Sequence, residues 1–259
     1  MKKLLGALVM GLMPCAVFAN AATPDYTDLW WNAGESGWGA NVALQGDTML
    51  VTLFVYNGNH DPTWFVAPNT VYHPLTNTYS GPLYATTGPY YVVSFQASQV
   101  TANPVGNLSF TPSTFNKATL VYNVGGQTIT KLVTRQSWRN ENLAGFYLGS
   151  RQGTWTNCGP PLDGQVSSTT SVSVTQSGTD VIVADAGKGY SCTYSGKYTG
   201  AGHMGQIEGS GVCDDNVNRY MLATEVMASR EAFTMRYRME QLGTGCTFEG
   251  YVGGIRQVQ

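Results

Sequence analysis

Along most of this chain apolar residues recur at every second position in short runs, and each run stops at a cluster of Gly, Asn, Asp or Pro. That period of two marks strands buried on one face. In the first half the runs are 38–44, ending at Gln45-Gly46-Asp47, then 48–56, ending at Asn57-Gly58-Asn59, then 63–67, 79–85 and 91–95. Runs 117–124 and 127–134 flank Gly125-Gly126, a pair that accepts positive φ and suits a two-residue hairpin turn. In the second half the runs are 146–148, 171–175, 180–184, 191–198, 204–213, 220–227, 233–239 and 246–255. Only 220–232 competes as a helix, and Thr224, Val226 and Ser229 weigh against it. Between the halves lies Arg135-Gln136-Ser137-Trp138-Arg139-Asn140-Glu141-Asn142, the most charged stretch in the middle of the chain.

The fold class predicted is all-β, with two consecutive antiparallel meander domains over residues 24–138 and 139–259. Sequential strands with short turns close readily into small up-and-down β-barrels, because closure removes the exposed edges. A pair of β-sandwiches is the alternative.

Composition narrows the function more than the fold. The chain has 259 residues, of which 12% are charged, with 14 Lys plus Arg and a formal net charge of −2. So few basic residues exclude a phosphate-tracking nucleic-acid binder. The 42% hydrophobic content, with 9 Phe, 6 Trp and 15 Tyr, excludes a disordered polymer. Met1-Lys2-Lys3 followed by an apolar run to about Ala19 and by Asn20-Ala21-Ala22 has the pattern of a secretory signal peptide over residues 1–21. No second apolar stretch is long enough for a transmembrane helix. The expected location is therefore the periplasm or the extracellular space. Cys158, Cys192, Cys213 and Cys246 remain after the leader, an even number that implies two disulfides in an exported chain. Of the three pairings, Cys192–Cys213 and Cys158–Cys246 are preferred. The first pair flanks a predicted hairpin, and the second can join the first and last strands of a barrel.

Catalytic motifs are weak. Gly34-Glu35-Ser36-Gly37-Trp38 has Trp where a nucleophile elbow needs Gly. His60, His73 and His203 all sit among turn residues. Asp214-Asp215-Asn216-Val217-Asn218 opens like a calcium loop, but Arg219 stands where the sharp-turn Gly is required. No cofactor and no metal are expected. The aromatic residues say more. Neighbouring side chains on a strand point to opposite faces, so one member of Trp30-Trp31 and one of Tyr90-Tyr91 should reach solvent or a pocket. Trp30, Trp31, Trp38, Trp64, Tyr90 and Tyr91 are the candidate ligand-binding residues, since flat rings stack on sugars and anchor protein contacts. The competing expectation is that Trp38, Trp64 and Phe54 plug the barrel interior.

Asp28-Leu29-Trp30-Trp31-Asn32, Glu35-Ser36-Gly37-Trp38-Gly39, Gln45-Gly46-Asp47, Thr63-Trp64-Phe65-Val66 and Lys131-Leu132-Val133-Thr134-Arg135-Gln136-Ser137-Trp138 carry a resemblance over about residues 26–138. This half resembles an uncharacterised bacterial secreted β domain with a Glu-Ser-Gly-Trp-Gly core, found alone or appended to secreted hydrolases. The resemblance implies an exported accessory module and brings no site residues. The function expected is that of an exported, non-enzymatic binding or accessory protein recognising a carbohydrate, a small apolar ligand or a secreted protein partner. An outer-membrane β-barrel, or a small secreted hydrolase or hydrolase inhibitor, are the alternatives.

Overall fold

The structure is a computed structural model that describes residues 24–257. The leader expected at residues 1–21 lies outside the described residues. The chain forms two consecutive closed barrels, each of eight antiparallel strands in simple meander order. The first contains β1 (Asp28–Trp31), β2 (Gly39–Gln45), β3 (Thr48–Tyr56), β4 (Pro62–His73), β5 (Thr78–Thr87), β6 (Thr101–Thr114), β7 (Lys117–Val124) and β8 (Gln127–Arg135). The second contains β9 (Gly145–Thr156), β10 (Gly164–Ser177), β11 (Asp180–Gly187), β12 (Tyr190–Ala201), β13 (Met204–Cys213), β14 (Asn218–Ala228), β15 (Ala232–Gln241) and β16 (Thr247–Arg256). No α-helix occurs among the described residues.

Alternation decides which side chains fill each barrel. Met49, Val51 and Leu53 of β3 point inward and are fully buried, as are Ala40 and Val42 of β2. Phe54 and Trp64, directly paired between β3 and β4, take the opposite parity and stand on the outer wall, 41% and 51% exposed. The expectation that they plug the interior is thereby corrected: a shift of one position puts a ring on the other face. Trp38 packs partly buried against the rim of the first core. The second barrel is filled by Tyr147, Tyr194, Tyr198, Phe233, Tyr237 and Phe248 with smaller aliphatics between them.

Two strands escape the sequence pattern, and one predicted strand is absent. Residues 91–95 belong to the loop between β5 and β6, where Gly88-Pro89 ends the ladder. β6 itself is hidden in the sequence by Pro104 and Pro112, and both prolines sit beside register shifts, where a missing N–H is tolerated. β1 is only four residues long and is recruited by its neighbours β2 and β8.

The barrels meet end to end. Phe115 from the β6–β7 turn packs with Ala201 and Met204 of the second barrel. The His203 backbone N–H donates to Asp28 Oδ2 at 2.9 Å, and the His203 ring Nδ1 lies 2.8 Å from the same oxygen. Gly202 N–H donates to Ser137 Oγ at 2.6 Å, and Gly200 N–H to Asn140 Oδ1 at 2.9 Å. By strand direction, the β1–β2, β3–β4, β5–β6 and β7–β8 loops then lie at the far pole of the first barrel. The β9–β10, β11–β12, β13–β14 and β15–β16 loops lie at the far pole of the second.

The junction carries a pH dependence. Burial alone would raise the Asp28 carboxyl, but hydrogen bonds from the His203 side chain and backbone, Leu29 N–H and Arg135 outweigh it and hold it below the ordinary aspartate range. The unfolded chain therefore binds this proton more readily than the folded one. The stability contributed is complete above the unfolded value of about 3.9 and is lost as pH falls through the lowered folded value. His203→Ala removes the largest lowering partner and brings the folded value back toward the unfolded one, so the variant should be less stable than the wild type at pH 6 and lose less on acidification, with a shallower acid limb. Urea midpoints measured from pH 6 to pH 2 check this, and coincident acid limbs would contradict it.

Candidate functional site

An inward-facing charge interrupts the apolar stripe near the far pole of the second barrel in three strands. On β11 the inward residues run Val181, Val183, Asp185, and on β14 they run Arg219, Met221, Ala223. On β9 Tyr147 is followed at the same parity by Arg151. These charges sit below an open mouth, where a cavity of about 400 Å³ is lined by Arg151, Trp155, Leu162, Tyr190 and Met239, with Asp214, Asp215 and Arg219 at its rim and both disulfides in its wall. Cys192 is bonded to Cys213 and Cys158 to Cys246.

Asp185 is buried to 3% exposure and accepts hydrogen bonds from the Thr170 hydroxyl and, at 3.1 Å, from the Tyr190 hydroxyl. Its pKa is raised, because burial outweighs the stabilising contacts from Thr170, Arg151 and Tyr190. Arg151 stacks its guanidinium 3.5 Å from the Tyr190 ring centroid and 5.4 Å from that of Phe248. Its nearest approach to Asp185 is 3.7 Å, too long for a hydrogen bond. The guanidinium is thus held by rings and only loosely by its carboxylate. Tyr237 lies deeper in the same cluster, and burial pushes its hydroxyl far up, so it stays neutral.

The rim is organised differently. Arg219 donates from Nη1 to Asp215 Oδ1 at 2.8 Å and from Nη2 to Asp215 Oδ2 at 2.5 Å, a bidentate pair that holds Asp215 down at about 2. The residue that breaks the calcium-loop spelling is therefore the partner of its aspartate. No group of three His, Cys, Asp or Glu suited to a metal ion occurs among the described residues.

The aromatic candidates occupy three environments. Trp30 is fully buried in the first core, edge-on to Phe110 at 4.9 Å, and donates from Nε1 to Tyr26 O at 3.0 Å. Trp31 faces out and lines an open hollow with Lys117, Leu132 and Thr134 beside the β1–β8 seam. Trp38 donates from Nε1 to Glu35 Oε2 at 2.9 Å, and Lys131 donates to the same oxygen at 2.6 Å with its Nζ 5.3 Å from the Trp38 ring. The Glu-Ser-Gly-Trp-Gly core is thus a clamp between the β1–β2 loop and β8. Gly37 there has φ +117°, and a Cβ on Gly39 would meet the Phe54 ring at 2.6 Å. Tyr90 and Tyr91 are both exposed at the opposite pole from the cavity, in contact with each other at 4.7 Å.

No protein-family model matches the chain, and no curated protein matches it. Among solved structures, a protein of unknown function from the DUF3598 family of Nostoc punctiforme aligns at 10% identity over 88% of this chain and 93% of its own, with a TM-score of 0.28. A superposition that loose carries no argument about fold or function.

None of the six aromatic candidates lines the cavity of the second barrel. Of the residues around it, the sequence singles out the Asp214–Arg219 segment and the cysteines Cys192, Cys213 and Cys246, whereas Arg151, Tyr190 and the Asp185 behind them carry no motif. The legible signal was parity: Asp185 falls on the same face as Val181 and Val183, so a carboxylate was bound to enter the barrel. The histidines do not join it. His60 lies in the β3–β4 loop, His73 is the last residue of β4 and pairs with Thr78, and His203 presents one ring nitrogen to Asp28 and the other to Asp25 at 3.7 Å. With both nitrogens facing carboxylates, that ring is not placed to activate a hydroxyl nucleophile.

Proposed function

We propose that the chain is an exported binding protein whose second barrel takes a small, largely apolar molecule bearing one anionic or acceptor head group. The observation that carries this reading is the Arg151 guanidinium on the wall that Trp155, Leu162 and Met239 share, with its carboxylate neighbour Asp185 beyond hydrogen-bond reach and the rim charge of Asp215 already taken up by Arg219. An apolar pocket of this size with few convergent polar groups is the usual form of a ligand site. The ligand body would lie against Trp155, Leu162 and Met239, and its head would complete the hydrogen bonding of Arg151. The two disulfides, the described residues' lack of a helix long and apolar enough to cross a membrane, and the resemblance of the first half to a secreted accessory domain are all compatible with export.

The outer-membrane alternative is disfavoured by side-chain direction. A spanning barrel turns its apolar band toward lipid, whereas Val42, Val51, Leu53, Val172, Val183 and Phe248 here point inward.

Calorimetric titration with decanoate and decanol tests the proposal. The wild type should bind decanoate at least ten-fold more tightly than decanol, since hydrogen bonds to a charged group contribute about 1.5–3 kcal/mol. Arg151→Met should abolish that preference. Leu162→Trp, at an exposed rim position, should weaken both ligands by narrowing the mouth. Undiminished binding in both variants, or none in the wild type, would remove the cavity as the site.

A further inference from the structure

The loop at residues 88–100 crowns the pole of the first barrel that faces away from the second. Tyr90, Tyr91, Val92, Val93, Phe95 and Val100 are all exposed on it, from 44% for Val100 to 88% for Tyr91. The loop is ordered by its own backbone, with Val93 N–H donating to Tyr90 O at 3.1 Å and a single 3₁₀ turn at Ala97–Gln99. These side chains are held outward, so the patch is a built surface and exceeds the scattered apolar exposure normal for a soluble domain.

Charge identifies what covers it. From Pro74 to Asn116 the sequence has 43 residues without one Asp, Glu, Lys or Arg, in a chain that is 12% charged. At that average the stretch would hold about five charges. The whole β5–β6 hairpin and its tip are therefore free of groups that are costly to bring into an apolar medium. A protein partner would be met by Trp, Tyr or Arg anchors inside a polar rim. The tip offers tyrosines, but the hairpin has neither Trp nor Arg and no charged residue to form such a rim. Tyr90 and Tyr91 are amphipathic rings of the kind enriched where membrane proteins cross the headgroup level, with hydroxyls that remain wet, and Val92, Val93 and Phe95 supply exposed apolar surface beside them.

We propose that the tip at residues 88–100 inserts into the headgroup and upper acyl region of a lipid bilayer and docks the first barrel on a membrane surface. Insertion stops at that level, because an irregular loop has backbone polar groups that the hydrocarbon core would leave unsatisfied. With no cationic cluster on the hairpin, neutral lipid suffices and added salt leaves binding unchanged.

The test is flotation of the purified, oxidised protein with phosphatidylcholine vesicles, alone or with one-third phosphatidylglycerol, at 0.1 M and 1 M NaCl. The wild type should float with both vesicle types equally at either salt. The double variant Tyr91→Ser/Val93→Ser, altered only at exposed positions, should keep the wild-type melting temperature and partition at least ten-fold less. In a Val93→Trp variant, Trp emission should shift to the blue on adding vesicles. Three results would overturn the proposal: no flotation of the wild type, flotation that needs phosphatidylglycerol and is lost in 1 M NaCl, or flotation unaffected by the double substitution. Concentration-dependent dimerisation that the double variant abolishes, without flotation, would assign the tip to a second copy of this chain.

Discussion

Replacing Cys158 and Cys246 by serine is expected to destabilise the second barrel by about 4–5 kcal/mol. The bond closes a loop with a sequence separation of 88 residues, and the entropy removed from the unfolded chain by a crosslink of that span corresponds to about 4.6 kcal/mol. Its position adds a structural reason. It joins the β9–β10 loop to the end of the β15–β16 loop, beside the seam where β16 pairs with β9 through ten residues from Thr247↔Thr156 to Arg256↔Tyr147. It therefore ties the first strand of the barrel to the last. Cys192–Cys213 spans only 21 residues within the β12–β13 hairpin, where the two cysteines are direct cross-strand neighbours. Its removal should cost about 3 kcal/mol by the same relation. Urea unfolding of the two serine pairs checks the order. A larger loss from the hairpin pair would show that chain entropy is not the governing quantity. Both bonds also wall the cavity, so decanoate binding should fall on reduction while vesicle flotation through the first barrel persists.

Arg135→Met is expected to cost the first barrel about 3–5 kcal/mol, the range found when one partner of a buried ion pair is removed. The Arg135 side chain is wholly buried, and that of Asp28 is 9% exposed. From one guanidinium, Nε donates to Phe115 O at 2.7 Å and Nη1 to Thr27 O at 3.2 Å and Asp28 Oδ2 at 3.1 Å, while Nη2 donates to Asp25 O. Burial lowers its pKa, and the hydrogen bond and charge of Asp28, with the charge of Asp25, oppose that shift. One planar fork thus gathers the β6–β7 turn, the segment before β1 and the carboxylate that holds His203. Methionine would leave these acceptors unpaired and Asp28 charged without its guanidinium. Arg135→Lys should recover less than half of the loss, because a single ammonium cannot reach acceptors spread around a plane. Recovery to within 1 kcal/mol of the wild-type urea midpoint would contradict the fork as the cause.

The meander and its closure were legible because neighbouring strands spell the period of two and their turns are short. β3 shows the pattern most plainly, with Met49, Val51 and Leu53 in and Leu50 and Phe54 out. What escaped was set by tertiary context. β6 contains two prolines that only bulges accommodate, and residues 91–95 have strand composition yet find no neighbouring strand once β5 has ended at Thr87. Trp64 shows the same limit at one residue, since an aromatic run does not fix which ring faces in until register with Phe54 is known. The cavity was only partly readable. The parity of Asp185 was legible, but the meeting of β9, β11 and β14 residues at one mouth depends on strand register around the closed barrel, which no local pattern encodes.

The end-to-end stacking sets a distance with its own consequence. Strands of about ten residues rising about 3.3 Å each and tilted by about 40° give a barrel about 25 Å tall, so the outer poles are separated by about 50 Å. The cavity opens at one pole and the uncharged tip crowns the other. A molecule resting on its tip would carry its open cup at mast height, well beyond the Debye length of whatever surface lies beneath it. Cargo could enter or leave without crossing that surface's electrostatic field, and anything collecting it would approach from the solvent side.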